Sequence, residues 1–122
     1  LAELSAAGVG QEAITIMVVP GAFELPLAAT ALAKTRRFAC IVALGCVIRG
    51  DTIHFEIVSE QSARGVMDVS IARKIPIGNG ILTVNNESQA NVRANLDEGD
   101  KGGEAARATL TLIQLKRSIS KK

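Results

Sequence analysis

Residues 38–73, FACIVALGCVIRGDTIHFEIVSEQSARGVMDVSIAR, hold the passage on which the fold turns. Phe38 to Leu44 is a continuous apolar, β-branched run, as expected of a strand covered on both faces and stopped by Gly45. Arg49-Gly50-Asp51 reads as a polar turn. From Thr52 to about Arg73 the residues Phe55, Val58, Ser62, Val66 and Val69 recur at steps of three and four, which predicts a helix. Pro76 then resets the chain, and Ile77 to Val84 reads as the next strand, built around Gly78-Asn79-Gly80.

Working outward, Ala13 to Val19 (AITIMVV) is another buried-strand run, ended by Pro20-Gly21, with a helix expected from about Phe23 and Pro26 tolerated in its first turn. Leu1 to Ala7 reads as the tail of an amphipathic helix closed by Gly8 and Gly10. Downstream, Asn85-Asn86 should cap a helix running to about Leu96, Asp97-Glu98-Gly99-Asp100 is a break, and a last helix is expected from about Gly103 to Ser118. Strands alternating with helices imply right-handed crossovers. The expected fold is a small doubly wound α/β domain over residues 1–122, a parallel sheet with helices on both faces. Ligands of such sheets bind beyond the carboxyl ends of the strands, here Pro20 to Glu24, Cys46 to Thr52 and Thr83 to Asn86.

Composition narrows the function. The 122 residues are 48% hydrophobic, enough for a core without staples, and 14 Lys+Arg against 12 Asp+Glu leave +2. Both signs are interspersed apart from a short basic tail (Lys116, Arg117, Lys121, Lys122), so the field of a nucleic-acid binder is missing. With no Trp or Tyr and 3 Phe, stacking platforms for single strands are missing too. The single histidine excludes a multi-His metal site within one chain. Cys40 and Cys46 fit neither a CxxC nor a zinc-knuckle spacing and read as reduced core thiols, which suits a reducing cytoplasm. No apolar stretch reaches the roughly 18 residues of a membrane span. Serine-hydrolase elbow, Walker loop and dinucleotide fingerprint are all missing from the sequence.

Two segments could carry chemistry. Gly50-Asp51-Thr52, feeding a helix N-terminus, would present backbone N–H groups and a hydroxyl to a phosphate, although simple capping by Asp51 or Thr52 explains the same residues. His54 stands in the first turn of that helix, placed to exchange a proton near a bound phosphate ester, and would otherwise be an ordinary surface histidine. Ala22-Phe23-Glu24 offers a bare turn, a ring and a carboxylate, the contents of a pocket for a flat polar ring, or else a strand-to-helix turn with Phe23 as core. Arg93 and Lys101 are candidate anion partners or plain surface charges.

Taken together, VPGAFELPLAA (19–29), ALGCVIRGDTIHFEIV (43–58), NGILTVNNESQANVRA (79–94) and DKGGEAA (100–106) resemble the lumazine synthase family, in order and nearly ungapped. The resemblance implies a three-layer, flavodoxin-like fold with a four-stranded parallel sheet. It implies condensation of 5-amino-6-(ribitylamino)uracil with 3,4-dihydroxy-2-butanone 4-phosphate to 6,7-dimethyl-8-ribityllumazine, a step of riboflavin biosynthesis. It further implies no metal or organic cofactor, and a homopentamer or multiple of one with sites between subunits. Position by position, His54 matches the proton-transfer histidine; Gly50, Asp51, Thr52 and Arg93 match the phosphate site. Ala22, Phe23, Glu24, Val47 and Ile48 match the contacts to the pyrimidine and ribityl groups, and Lys101 matches the lysine of an NKG-like turn. Asn79 stands where the family usually has an aromatic residue in a stretch contributed by the neighbouring subunit. The family begins with a strand and an aromatic-bearing loop upstream of Leu1, so this chain is expected to lack its first strand. The alternatives are an archaeal-type riboflavin synthase, which would dismutate two lumazines, and a non-catalytic flavin-binding or shell-forming relative.

Overall fold

Two parallel strands, β1 (Ile41–Ile48) and β2 (Ile77–Val84), pair in register from Ile41 opposite Ile77 to Ile48 opposite Val84. They are joined by α3 (His54–Arg73), the crossover that a parallel pair requires. The computed structural model describes residues 1–120; Lys121 and Lys122, the end of the basic tail, lie outside the described residues. Before β1 come α1 (Ala2–Ala6), single 3-10 turns at Gln11–Ala13 and Ala22–Glu24, and α2 (Leu25–Lys34). After β2 come α4 (Glu87–Ala94) and α5 (Lys101–Ser120). Among the described residues no helix is long and apolar enough to cross a membrane.

Alternation along the strands sorts the helices onto the two faces. Ala43, Ile77 and Ile81 pack against Ala29 of α2 and Val66 and Val69 of α3. A second cluster, Ala22, Val47 and Val58, continues this layer toward the strand ends. The opposite face of β2 receives α5, and it does so at very close range. A Cβ added at Gly78 would run into Thr109 Oγ1 and the Ala105 carbonyl, and one at Gly80 would meet the Ala43 carbonyl and the Ala105 methyl. Only glycine leaves room for the helix there. Thr109 is fully buried and spends its hydroxyl within the helix, donating to the Ala105 carbonyl at 2.7 Å.

Several boundaries differ from the sequence expectation, each for a physical reason. Strand β1 begins at Ile41 and passes through Gly45, which pairs with Ile81 and faces Leu25 and Ala22, so that glycine marks a close helix approach instead of a stop. The run Ala13 to Val19 is not a strand. Ile16, Met17 and Val18 are 68, 63 and 92% exposed, and among the described residues no strand lies beside them to supply the ladder that their side chains favour. The expected four-stranded sheet is thus two-stranded over the described residues. Helix α2 starts at Leu25, after the 3-10 turn that holds Phe23. Helix α4 stops at Ala94, before Leu96, and α5 starts at Lys101, where the Asp100 side chain accepts from the Gly103 N–H at 3.3 Å. Asn86 caps α4 as expected, accepting from Gln89 N at 2.8 Å, while Gln89 Oε1 takes the Asn85 N–H in return.

The close α5 contact generates a test. Gly78→Ala is expected to lower unfolding free energy in urea by about 1–3 kcal/mol, the usual range for an overpacked core site. An unchanged midpoint would mean that α5 is free to move away from β2.

Candidate functional site

Because β1 and β2 end level with each other, the segments that follow them emerge side by side. Arg49 continues the pairing by one residue, its N–H donating to the Val84 carbonyl at 2.8 Å. The chain then turns through Gly50, Asp51, Thr52 and Ile53 and enters α3 at His54. All of Gly50 to His54 are exposed. The helix cap is Ile53, whose side chain cannot accept a hydrogen bond; Thr52 Oγ1 accepts from His54 N at 3.3 Å instead. Among the described residues no hydrogen bond takes the backbone N–H of Gly50, Asp51, Thr52 or Ile53. A run of free N–H groups at the positive end of a 20-residue helix suits an anion.

Beside this loop lies a concavity of ≈ 530 Å³, lined by Gly21, Ala22, Phe23, Glu24, Cys46, Val47, Ile48, His54, Ile57 and Val58. Ala22, Val47 and Val58 form its buried floor, and its exposed wall mixes Phe23, Ile48 and Ile57 with Cys46 and His54. Ala22 and Val47 are buried, Phe23 is 56% exposed, and Glu24 is half-buried. The structure therefore brings together Ala22, Phe23, Glu24, Val47, Ile48 and His54. Phe23 is not core.

A second concavity, ≈ 410 Å³, runs along β2 against α5 and is lined by residues that include Asn79, Ile81, Thr83, Arg93, Lys101, Glu104 and Ala105. It shares no lining residue with the first. Asn79 Oδ1 accepts from Ile81 N at 3.0 Å, so this side chain braces its own strand. Among the described residues Arg93 Nη1 reaches only the Gln89 carbonyl, at 3.4 Å. Lys101 pairs with Glu104 at 2.8 Å and holds that carboxyl below its usual range. Within one chain, Asn79, Arg93 and Lys101 thus stand apart from Phe23, Glu24 and His54. Gly50, Asp51 and Thr52 line neither concavity and sit on the loop at the rim of the first.

One residue with three fixed side-chain contacts escaped the sequence reading. Arg49 Nε donates to Asn85 Oδ1 at 3.0 Å, Nη1 donates to Glu56 Oε1, and the guanidinium lies 4.3 Å over the Phe55 ring. The carboxyl of Glu56, held by its own backbone N–H and then by Arg49, lies below the ordinary carboxylate range. No periodicity could have exposed this, since Asn85 is 36 positions from Arg49. Both cysteines are free; Cys46 is exposed on the concavity wall and so is not a core thiol. Among the described residues no group of three or more His, Cys, Asp or Glu is placed to hold a metal ion.

An open parallel sheet with a ring-sized concavity and a free-N–H loop at its carboxyl edge defines a class, the α/β proteins that bind small molecules at strand ends. Comparison with known proteins specifies the member. The sequence model of the 6,7-dimethyl-8-ribityllumazine synthase family matches residues 1–117. A protein of that name from Nitrobacter hamburgensis is 54% identical, the match covering 99% of this chain and 76% of the relative. One from Rhodopseudomonas palustris is also 54% identical, over 98% of this chain and 75% of the relative, and one from Afipia carboxidovorans is 55% identical, over 98% and 74%. The chain belongs to the 6,7-dimethyl-8-ribityllumazine synthase family.

The two thiols report directly on this geometry. Burial pushes the Cys40 thiol up, and a raised value leaves less thiolate at any pH below it. Iodoacetamide at neutral pH is expected to alkylate Cys46 several-fold faster than Cys40, with the gap narrowing as pH rises, read by tandem mass spectrometry of the peptide 38–49. Equal rates at neutral pH would contradict the exposed wall position of Cys46.

Proposed function

We propose that this enzyme condenses 5-amino-6-(ribitylamino)uracil with 3,4-dihydroxy-2-butanone 4-phosphate, giving 6,7-dimethyl-8-ribityllumazine, phosphate and water, in riboflavin biosynthesis. The observation that carries this reading is that Phe23, Glu24, Val47, Ile48 and His54 line one concavity beside the free-N–H loop, in a member of a family named for that product. Phe23 and the apolar floor suit the pyrimidine ring, and Glu24 suits the ribityl hydroxyls. Gly50, Asp51 and Thr52 suit the phosphate. The amine attacks the ketone and loses water to form a Schiff base, phosphate is eliminated, and the ring closes with loss of a second water, His54 carrying protons at the mouth of the site. Holding two substrates in reacting geometry can supply roughly 7–11 kcal/mol of the barrier.

The separation of the two concavities supports a site completed between copies of the chain. Asn79, Arg93 and Lys101 of one subunit would face the Phe23–His54 concavity of the next, in a homopentamer or multiple of one. Arg93 and Lys101 then add charge for the phosphate. The exposed run Ile16 to Val18 supports a fuller, four-stranded flavodoxin-like sheet in which this segment and one further strand extend the described pair. One catalytic domain over residues 1–122, working in the cytoplasm without a metal or organic cofactor, completes the reading.

Mixing the two substrates with the protein and following lumazine absorbance and fluorescence tests the activity; a folded, assembled protein that forms no product would favour a binding or shell role. Product formed from lumazine alone, as riboflavin, would favour a riboflavin synthase. His54→Ala is expected to lower kcat on the order of a hundredfold or more with little change in KM, as for other general acid–base groups. Arg93→Ala is expected to raise KM for the phosphorylated substrate and leave KM for the pyrimidine nearly unchanged; an unaltered KM for both would remove Arg93 from the phosphate site.

A further inference from the structure

We propose that Arg49 is a positioning residue for the phosphate loop, its guanidinium clamped between Asn85 and Glu56 over the ring of Phe55 so that Gly50 to Ile53 are held open for the anion. The proposal rests on the function given above and assigns a role to four side chains outside the substrate contacts. Among the described residues the backbone N–H groups of Gly50 to Ile53 make no hydrogen bond, and the Ile53 side chain gives α3 no brace, leaving the long Thr52 Oγ1 contact to His54 N as the loop's own hold on the helix. Arg49 supplies what both lack. Its backbone N–H is locked to Val84, Nε reaches Asn85 beyond the end of β2, and Nη1 reaches Glu56 in the first turn of α3. Both ends of the turn, and the neighbouring strand end, are thereby referred to one planar group. A guanidinium suits this task because its donors diverge in a fixed plane that also stacks on a ring, whereas an ammonium offers neither.

Direct binding of the phosphate by Arg49 is the competing role, and the geometry disfavours it. Arg49 lines neither concavity, its charge is compensated by Glu56, and two of its nitrogens are already committed. Ion pairing this exposed adds little to stability, which fits a part whose use is geometric.

The test compares Arg49→Lys, Glu56→Gln and Asn85→Ala with the unaltered full-length protein, after sedimentation has established the same assembly in each. Amide hydrogen exchange at Arg49 and Ile57, the hydrogen-bonded N–H groups on either side of the loop, is expected to quicken in all three. KM for the phosphorylated substrate and the inhibition constant of inorganic phosphate are expected to rise together, by up to roughly a hundredfold in Arg49→Lys, as for a small misplacement of positioned groups. KM for the pyrimidine is expected to hold. Full rescue by lysine would show that charge alone suffices, and tighter phosphate binding in Glu56→Gln would show that Arg49 is itself a ligand once released; either overturns the proposal. Unchanged exchange and unchanged phosphate affinity in Asn85→Ala and Glu56→Gln overturn it as well, even if Arg49→Lys fails to fold. Absence of product from the unaltered protein would instead defeat the assigned reaction, while hydrogen exchange would still decide whether Arg49 orders the loop.

Discussion

The in-register pairing of β1 with β2 is the constraint from which the rest of the structure follows. Parallel strands cannot be joined by a tight turn, so α3 must cross the sheet, and its N-terminus must begin where β1 ends. Equal strand ends, Ile48 opposite Val84, then place residues 49–53 beside Asn85. A one-residue slip would reverse every side chain on β2, putting Ile77 and Ile81 under α5 and the glycines under α3. The glycines at 78 and 80 therefore fix the register as firmly as the hydrogen bonds do, because only one face of β2 can accept α5 at that distance.

Much of this was legible in the sequence because it depends on local period and local chemistry. The stripe Val58, Ser62, Val66 and Val69 is buried as its spacing predicts, and Asn86 caps α4. Ala22, Phe23, Glu24, Val47, Ile48 and His54 gather at one opening because all of them flank strand or helix ends that a doubly wound sheet brings together. The misreadings have a common origin in partners distant along the chain. Gly45 looks like a strand stop until Ile81 is seen beside it, and Ala13–Val19 looks like a strand although pairing needs a neighbour that the described residues do not provide. Arg49 reads as part of a plain polar turn until Asn85, just past the end of β2, is seen beside it.

The apolar run of residues 14–19 also shows what an unpaired strand-former does to a molecule. Ile16, Met17 and Val18 are β-prone, uncharged and exposed together, with open backbone on either side. Segments of this kind pair readily with another chain. Material in which this run finds no intramolecular neighbour will self-associate in proportion to its concentration, independently of how well α2, α3 and α5 pack.

The two concavities, with no lining residue in common, carry a genetic consequence. If each reacting centre draws Phe23 and His54 from one copy and Arg93 and Lys101 from its neighbour, a defect in either half leaves the other half of that same polypeptide sound. Two alleles, one disabled at His54 and one at Arg93, would each be defective alone. Expressed together, they would assemble some interfaces that unite the intact half of one product with the intact half of the other. Riboflavin prototrophy would then reappear in a cell that carries no undamaged copy of the gene.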